Sequence, residues 1–299
     1  MAVEFKQNFD IKKLTSFKIG GKIDCVYLPQ TKDDFIQVCK ENPDVTILGN
    51  LSNILISDFG FSKAMLTSNM DFISIDGVNV NAYCGVKGQK LSQVVKENGL
   101  SGLEFLIGFP GSIGGEVYMN ASANGQAISD NFVKALCYKD GNLLELSKEE
   151  MKFGYRTSIC GKENLKIIWA EFELVPESKE KIELRMNECL NFRKNHQPLL
   201  NLPNCGSVFK NPAGNSAGRL LDSCGGKELS VNGAKVWENH ANFIVNTGNA
   251  TSQDVLELMY KMQCCVLEKY GIKLEPEVIY LGGNNKKEAE LWDLICQKI

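Results

Sequence analysis

The stretch Gly108-Phe-Pro-Gly-Ser-Ile-Gly-Gly-Glu-Val-Tyr-Met-Asn-Ala-Ser-Ala-Asn-Gly125 decides how the rest of the chain is read. Gly108, Gly111, Gly114, Gly115 and Gly125 fall with Pro110 inside eighteen residues, a density that packing alone rarely requires. Without Cβ atoms the backbone can approach a ligand closely and adopt φ > 0, so the segment reads as a loop for a phosphate or a flat ring. No GK[ST] follows the glycines and their spacing is not G-x-G-x-x-G, which disfavours the common nucleotide folds. Upstream, Leu48-Gly-Asn-Leu-Ser-Asn-Ile-Leu55 reads as a buried strand, a turn from Gly49 to Asn53, and a second strand. Donors converging from such a turn form a nest suited to a pyrophosphate, although a simple hairpin carries the same letters.

Outward from these two segments the chain alternates helix and strand signals. Thr31 before KDDFIQVCKEN predicts an N-capped helix leading into strands at 45–49 and 54–57. Residues 72–85 favour strands, and GQKLSQVVKENGL predicts a helix with an easy left-handed cap at Gly99. Strands are expected at 132–140 and 165–175, with a capping box at Ser147–Glu150 between them and a charged helix from Glu177 to Asn195. The last third opens on the loop-like QPLLNLPNCGSVFKNP, passes a short helix at SAGRLLDSC, and predicts a helix after Thr251 or Ser252. In that helix Val255, Leu256, Leu258, Met259, Met262 and Val266 recur at core spacing, ahead of a strand at LEPEVIYLG. No repeat, low-complexity tract or flexible linker separates the parts.

The 299 residues suit two or three interlocked domains. With 33 basic and 36 acidic residues the net charge is −3, so there is no bulk basic field for a nucleic-acid polymer. An anionic ligand must be held by local Lys, Arg and N–H groups. MAVEFKQNFDIKKL is charged throughout and no apolar run approaches a membrane span, so no membrane is expected and a cytoplasmic location is. Eleven cysteines, an odd number falling largely in apolar runs, read as reduced and mostly buried thiols. Two histidines and no zinc-spaced cluster argue against a metal.

A dispersed set completes the picture: Tyr155-Arg156-Thr-Ser158, Pro203-Asn-Cys-Gly-Ser207-Val-Phe-Lys210-Asn211-Pro212, and Leu274-Glu-Pro-Glu277-Val. Taken with LTSFKIGG, the long glycine loop, AGRLLDSCGG, HANFIVN and ATSQDV, in this order from Leu14 to Gly283, the sequence resembles the UDP-N-acetylenolpyruvoylglucosamine reductase family. It is similar to the shorter subclass, which lacks an extra substrate loop. The resemblance implies an α+β protein with a vanillyl-alcohol-oxidase-type FAD-binding fold. The expected domains are two α/β FAD-binding subdomains at 1–70 and 71–195 and a C-terminal α/β substrate domain at 196–299. It also implies reduction of UDP-N-acetylglucosamine enolpyruvate to UDP-N-acetylmuramate in peptidoglycan synthesis, with non-covalent FAD and NADPH as hydride donor. A monomer is favoured over an oligomer.

By motif position, the resemblance makes Ser207 the proton donor, with Arg156 and Glu277 the other catalytic residues. FAD-binding positions are Gly49, Asn50, Ser52, Asn53, Pro110, Gly111, Ser112, Ile113, Gly114, Gly115, Asn120 and Ala121. Tyr155, Lys210, Asn211 and Lys227 would contact the substrate or its diphosphate. The chain departs from the family pattern at Leu51, where a glycine is usual, at Glu116 and Ser122, where residues are small, and at Glu228, after Lys227. Two other readings fit parts of the pattern: another FAD oxidoreductase on the same fold, and a silent flavin or nucleotide binder. The second gives no reason to keep Arg156, Ser207 and Glu277 together.

Overall fold

The run FVKALCYK forms the strand Phe132–Lys139, and its burial explains its composition. Phe132, Ala135 and Cys137 pack into one apolar cluster while Leu136 and Tyr138 pack into another, so both faces are covered. A strand covered on both faces needs apolar side chains at nearly every position. It lies in a five-stranded antiparallel sheet ordered Asn142–Ser147, Phe132–Lys139, Lys166–Glu173, Asn79–Tyr83, Ile73–Asp76. Asp140 and Gly141, at φ 47° and 89°, make the tight turn into Asn142–Ser147. That edge strand, exposed over four of its six residues, carries no apolar pattern by which to recognise it.

The computed structural model describes residues 3–199 and 201–297; Met1, Ala2, Lys298, Ile299 and Leu200, within QPLLNLP, lie outside the described residues. The chain divides into two units, Met1–Lys6, Val26–Asn50 and Lys63–Asn195 in one, Gln7–Cys25, Leu51–Ser62 and His196–Ile299 in the other. It therefore passes between them repeatedly before residue 63 and remains in the second from His196 onward.

In the first unit, α1 (Lys32–Glu41) carries the N-cap expected at Thr31, closed as a capping box with Asp34, and buries Phe35, Val38 and Cys39 beside Met65, Leu136 and Ile168. The strands Thr46–Leu48 and Phe61–Leu66 pair in parallel. Helix α2 (Gly88–Glu97), α3 (Ile113–Met119), α4 (Ile159–Glu163) and α5 (Lys179–His196) supply Leu91, Val95, Ile113, Val117, Cys160, Ile182 and Met186 to the cluster on the other face of the sheet. Gly99, at φ 66°, follows α2 as a left-handed residue. Ser147 and Glu150 exchange both capping-box hydrogen bonds, at 3.3 and 2.8 Å, yet the chain beyond them turns and does not become helical.

The second unit packs α6 (Ala217–Ser223), α7 (Ser252–Tyr270) and α8 (Lys286–Cys296) with a three-stranded sheet, Ser230–Val231, Ala234–Val236 and Ile244–Asn246. The expected stripe on α7 is core: Val255, Leu256, Leu258, Met259, Met262 and Val266 are all at most 1% exposed. Each such side chain contributes roughly 1.5–3 kcal/mol by leaving water. The uniform reading of reduced thiols is corrected at one pair. Cys224, which follows α6, and Cys265 on α7 have Cα atoms 6.1 Å apart and are joined as a disulfide. Six of the other cysteines are buried free thiols. Among the described residues no helix is long and apolar enough to cross a membrane, and no group of three or more His, Cys, Asp or Glu could hold a metal ion.

One buried carboxylate fastens this unit. Glu288 on α8 accepts from Ser57 Oγ at 2.6 Å, Ser252 Oγ at 2.6 Å and Tyr280 OH at 2.7 Å. Ser57 follows the strand Ile54–Ile56, which pairs in parallel with Ile279–Leu281, and Ser252 opens α7. A polar group so deeply placed requires those donors. Glu288→Ala is expected to leave the Ser57 and Tyr280 hydroxyls without this acceptor, while Ser252 Oγ keeps Asp58 Oδ2 at 3.1 Å, and to cost roughly 2–4 kcal/mol in urea unfolding. Glu288→Gln should cost less, because its carbonyl still accepts.

Candidate functional site

The glycine loop is fixed by its own backbone. Ile113 N–H donates to Val86 O at 2.8 Å, Gly114 N–H to Cys84 O at 2.9 Å, and Gly88 N–H to Gly111 O at 3.2 Å. Residues 111–114 thus lie along the segment that leaves the strand Asn79–Tyr83 and enters α2. Space is tight on that side: a Cβ at Gly114 would stand 2.8 Å from Cys84 Cβ, and one at Gly111 2.8 Å from Glu116 Oε1. Gly114 is demanded by the protein's own packing, and at Gly111 an added Cβ would have to displace the Glu116 carboxyl. That refines their expected role, since the N–H groups of Ile113 and Gly114 serve the fold and only the outward side of the loop is left for a ligand. At Gly115 the nearest atom to an added Cβ is 3.9 Å away.

The turn after Leu48 joins this loop. A Cβ at Gly49 would fall 2.2 Å from Ser112 Oγ, and Asn50 Nδ2 donates to Pro110 O. Gly49, Asn50, Pro110, Gly111 and Ser112 therefore form one neighbourhood within the first unit. Leu51, which begins a segment of the other unit, has φ 56°, a left-handed value that a glycine would adopt freely; its side chain is buried.

Beyond α3 the loop is tied to the FGYRTS turn. Asn120, at φ 46°, donates through Nδ2 to Gly154 O at 3.0 Å, and Ser158 Oγ donates to Tyr118 O at 2.7 Å. Ala121 N–H donates to Glu116 O, and Ala121 O accepts from Ile128 N–H. Arg156, at φ 53°, sits between Gly154 and Thr157, which bridge across the turn, and its Nη1 donates to Ser122 Oγ at 2.8 Å and Ser122 O at 3.2 Å. Its guanidinium stacks 5.4 Å from the ring centre of the exposed Tyr155. A left-handed arginine is costly, and strain of this kind is kept where surrounding structure imposes it. Ser122, one of the departures, is a direct partner of Arg156, a link that spacing along the sequence does not reveal.

In the second unit Ser207 and Glu277 lie on adjacent extended segments. Ser207 bridges Phe243 and Phe209 bridges Pro276, while Val208 O accepts from Glu277 N–H at 2.8 Å. Asn53 Nδ2 donates to Glu277 O at 3.0 Å, so Asn53 acts on this segment through its amide. Asn242 holds Phe209 from both sides, accepting its N–H at 3.0 Å and donating to its carbonyl at 2.8 Å. Both Ser207 and Glu277 are half-buried. His240 packs 5.0 Å from the Phe243 ring, and burial holds its imidazole below the usual value, hence neutral. Asn211 Oδ1 accepts from Ala217 N–H at the start of α6, Lys210 Nζ lies 3.7 Å from Glu275, and Lys227 Nζ lies 3.0 Å from Asp222. Asn242 and His240 are the supporting residues that the sequence reading passes over. Their signal lies only in the HANFIVN motif, because an amide serving a backbone has no characteristic spacing.

Three buried side-chain oxygens in the glycine loop have no hydrogen-bond partner among the described residues: Ser112 Oγ and both carboxyl oxygens of Glu116. Orphaned polar atoms in a buried loop fit a site that a polar ligand completes. Burial raises the Glu116 carboxyl to about 8, and Cys84 beneath the loop is pushed up to about 12 and stays a thiol.

Comparison with known proteins matches the chain in two parts. Residues 23–147 match the family profile described as FAD binding domain, and residues 197–281 the one described as UDP-N-acetylenolpyruvoylglucosamine reductase, C-terminal domain. The UDP-N-acetylenolpyruvoylglucosamine reductase of Caldicellulosiruptor saccharolyticus is 39% identical over 288 residues, covering 94% of this chain and 93% of that protein. The UDP-N-acetylenolpyruvoylglucosamine reductase 2 of Bacillus cereus is 38% identical, with 94% of each chain covered. The crystal structure of the UDP-N-acetylenolpyruvylglucosamine reductase from Thermus caldophilus superposes with a TM-score of 0.80 at 32% identity, over 94% of this chain and 99% of that one.

The Glu116 shift sets a stability prediction. Its folded value, about 8, lies above its ordinary 4.5, so the native state holds the proton more tightly than the unfolded chain. The contribution of Glu116 to the stability of the FAD-free protein is therefore expected to be full below about pH 4.5, to fall as pH rises toward 8, and to level off above it. The Glu116 contribution to that slope approaches about 1.4 kcal/mol per pH unit. Glu116→Gln should flatten it and leave the variant more stable than the parent at pH about 8. Urea unfolding across that range is the measurement.

Proposed function

The chain belongs to the UDP-N-acetylenolpyruvoylglucosamine reductase family, and from this we propose that it reduces UDP-N-acetylglucosamine enolpyruvate to UDP-N-acetylmuramate for peptidoglycan synthesis, in the cytoplasm. The observation that carries the reading is relatedness along almost the whole of both chains, which brings the FAD-binding and the C-terminal parts together in one protein. The α+β architecture goes with an FAD-binding fold of the vanillyl-alcohol-oxidase type. We assign 1–70 and 71–195 as the two FAD-binding subdomains and 196–299 as the substrate domain.

The Gly49–Asn53 turn, the Pro110–Gly115 loop, Asn120 and Ala121 would hold FAD, and the orphaned Ser112 hydroxyl supports that placement. Bound FAD, reduced by NADPH, supplies the hydride that adds to C3 of the enolpyruvyl ether. Negative charge then grows at C2 and on the substrate carboxylate, where the Arg156 guanidinium stabilises it. The left-handed turn and the Ser122 hydrogen bond aim that side chain before substrate arrives. Ser207 Oγ–H delivers the proton to C2, with Glu277 as the carboxylic acid that assists a hydroxyl otherwise too weak an acid. Lys210 and Lys227 would meet the diphosphate, each exchanging a nearby acidic partner for it, while Tyr155 and Asn211 would contact the sugar nucleotide.

Purified protein is expected to be yellow and to oxidise NADPH anaerobically when the enolpyruvyl substrate is added. A colourless protein inert to that substrate would overturn the reading. Arg156→Ala should bind FAD normally and take hydride from NADPH at the parent rate, yet pass it to the enolpyruvyl substrate slowly, because charge stabilisation acts in the transition state. A defect confined to NADPH oxidation would place Arg156 at the nicotinamide instead.

Ser207→Ala should likewise be reduced by NADPH, whereas its reoxidation by substrate should drop about 10²–10⁴-fold, the usual cost of removing a positioned general acid. Ser207→Cys should recover part of that rate. Stopped-flow flavin absorbance separates the two half-reactions, and parent-rate reoxidation in Ser207→Ala would exclude Ser207 as donor.

A further inference from the structure

The junction of α6 and α7 in the second unit holds cysteine chemistry that the proposed reaction does not use. Cys224 and Cys265, joined as a disulfide with Cα atoms 6.1 Å apart, are both half-buried. They line a solvent-open cleft of about 520 Å³ together with Cys264, Lys261, Glu268 and Lys269. Burial pushes Cys84 and Cys205 up and keeps them as thiols out of reach, whereas this pair meets solvent. The geometry suits the opened pair as well: Cys265 Sγ lies 2.8 Å from Cys224 O and Cys224 Sγ 3.3 Å from Leu221 O, so each thiol has a carbonyl to donate to. The bonded and the opened pair therefore both fit this backbone.

The same junction carries Lys227. Cys224 caps the end of α6, Gly225 follows at φ 78°, and the chain doubles back so closely that a Cβ at Gly226 would lie 2.7 Å from Leu221 O. Lys227 Nζ then meets Asp222 of α6 at 3.0 Å. Besides the disulfide and the apolar packing of Leu220 and Leu221, the end of α6 is tied to α7 by Ser223 Oγ with Tyr270 OH at 2.7 Å and by Lys269 Nζ with Ser223 O. Both of these hydrogen bonds are exposed, so water competes for them. The sulfur–sulfur bond is a tie that water cannot replace.

We propose that Cys224 and Cys265 are a reversible thiol–disulfide modification site, exchanging with low-molecular-weight disulfides and thiols, whose oxidised form holds the 225–227 turn in place to receive the substrate diphosphate. The regulatory half rests on the reading of Lys227 as a diphosphate contact. One protein thiolate, with Lys261 and Lys269 set against Glu268 to favour the anion, attacks a sulfur of the small disulfide, and a first small thiolate leaves. The second protein thiolate attacks the protein sulfur of this mixed disulfide, closes the Cys224–Cys265 bond and expels the other small thiolate. The small disulfide gains the two electrons that the cysteines lose, and the departing thiolates take up their two protons. Two small thiols run the sequence backwards. In the reducing cytoplasm, disulfides that form are characteristically of this transient, sensing kind.

The test poises FAD-loaded full-length protein in mixtures of reduced and oxidised glutathione, alkylates it natively with iodoacetamide and maps the peptides by mass spectrometry. Cys224 and Cys265 are expected to be protected together in oxidising mixtures and alkylated together in reducing ones, with Cys264 alkylated in both. Reduction is expected to raise KM for the enolpyruvyl substrate about tenfold, because a loosened turn must be ordered on binding. Turnover number and flavin reduction by NADPH should stay at the oxidised protein's values. Cys224→Ser and Cys265→Ser should each show the reduced protein's KM in every mixture, and Cys264→Ser should respond as the parent does. Alkylation of the pair that ignores the glutathione ratio, or equal KM in oxidised and reduced parent, would overturn the proposal while leaving the reductase reading intact. A parent that turns over no enolpyruvyl substrate in either state would instead overturn the proposed function, and the regulatory half with it.

Discussion

The backbone hydrogen bonds that lay residues 111–114 along residues 84–88 are the constraint on which the first unit's site depends. They bring the two segments so close that a Cβ at Gly114 would stand 2.8 Å from Cys84 Cβ, while at Gly88 and Gly111 it would meet the Glu116 carboxyl at 2.5 and 2.8 Å. With the inner side of the loop committed, the outer side is rigid by default. Rigid donors need no ordering when a ligand arrives, and this is the physical advantage of a glycine loop over a polar flexible one.

From that platform the remaining polar residues are positioned by side chains that act on backbone. Asn120 fastens the end of α3 to Gly154, and the turn beginning there forces Arg156 into the left-handed region and against Ser122. In the second unit Asn242 clamps Phe209 and Asn53 holds the Glu277 carbonyl, so the segments bearing Ser207 and Glu277 are aligned without a long sheet. Asparagine suits this work because one amide both donates and accepts. Glu288 plays the equivalent part for the scaffold, gathering three hydroxyls from segments distant in sequence.

What could be read from the sequence was local. Thr31 announces an N-cap and the second is expected at Thr251 or Ser252; the structure places it at Thr251, both close as capping boxes with Asp34 and Asp254, and the apolar stripe on α7 is buried along its length. The chain's family was legible from ordered motifs, and relatives at 38–39% identity bear it out. Signals failed where local and tertiary forces disagree. The Ser147–Glu150 pair makes its capping hydrogen bonds, but no apolar face follows to hold a helix in place, and the chain turns. The strand Asn142–Ser147 is exposed and shows no period to detect, whereas α8 has a local signal, the Asn285 cap after Gly282-Gly283-Asn284, that the sequence reading passes over.

The sequence by itself determined the element types, the glycine-dependent loop and the family, because capping, periodicity and absent Cβ atoms act over a few residues. Only the tertiary structure decided which side of the loop faces the protein, that Ser122 holds Arg156, that Cys224 meets Cys265, and that Glu116 is buried without a partner. Each of these depends on segments brought together from distant parts of the chain, and on whether water is excluded between them. Burial and pairing of that kind have no signature in the order of residues, since the same glutamate on an exposed helix face would be an ordinary solvated charge.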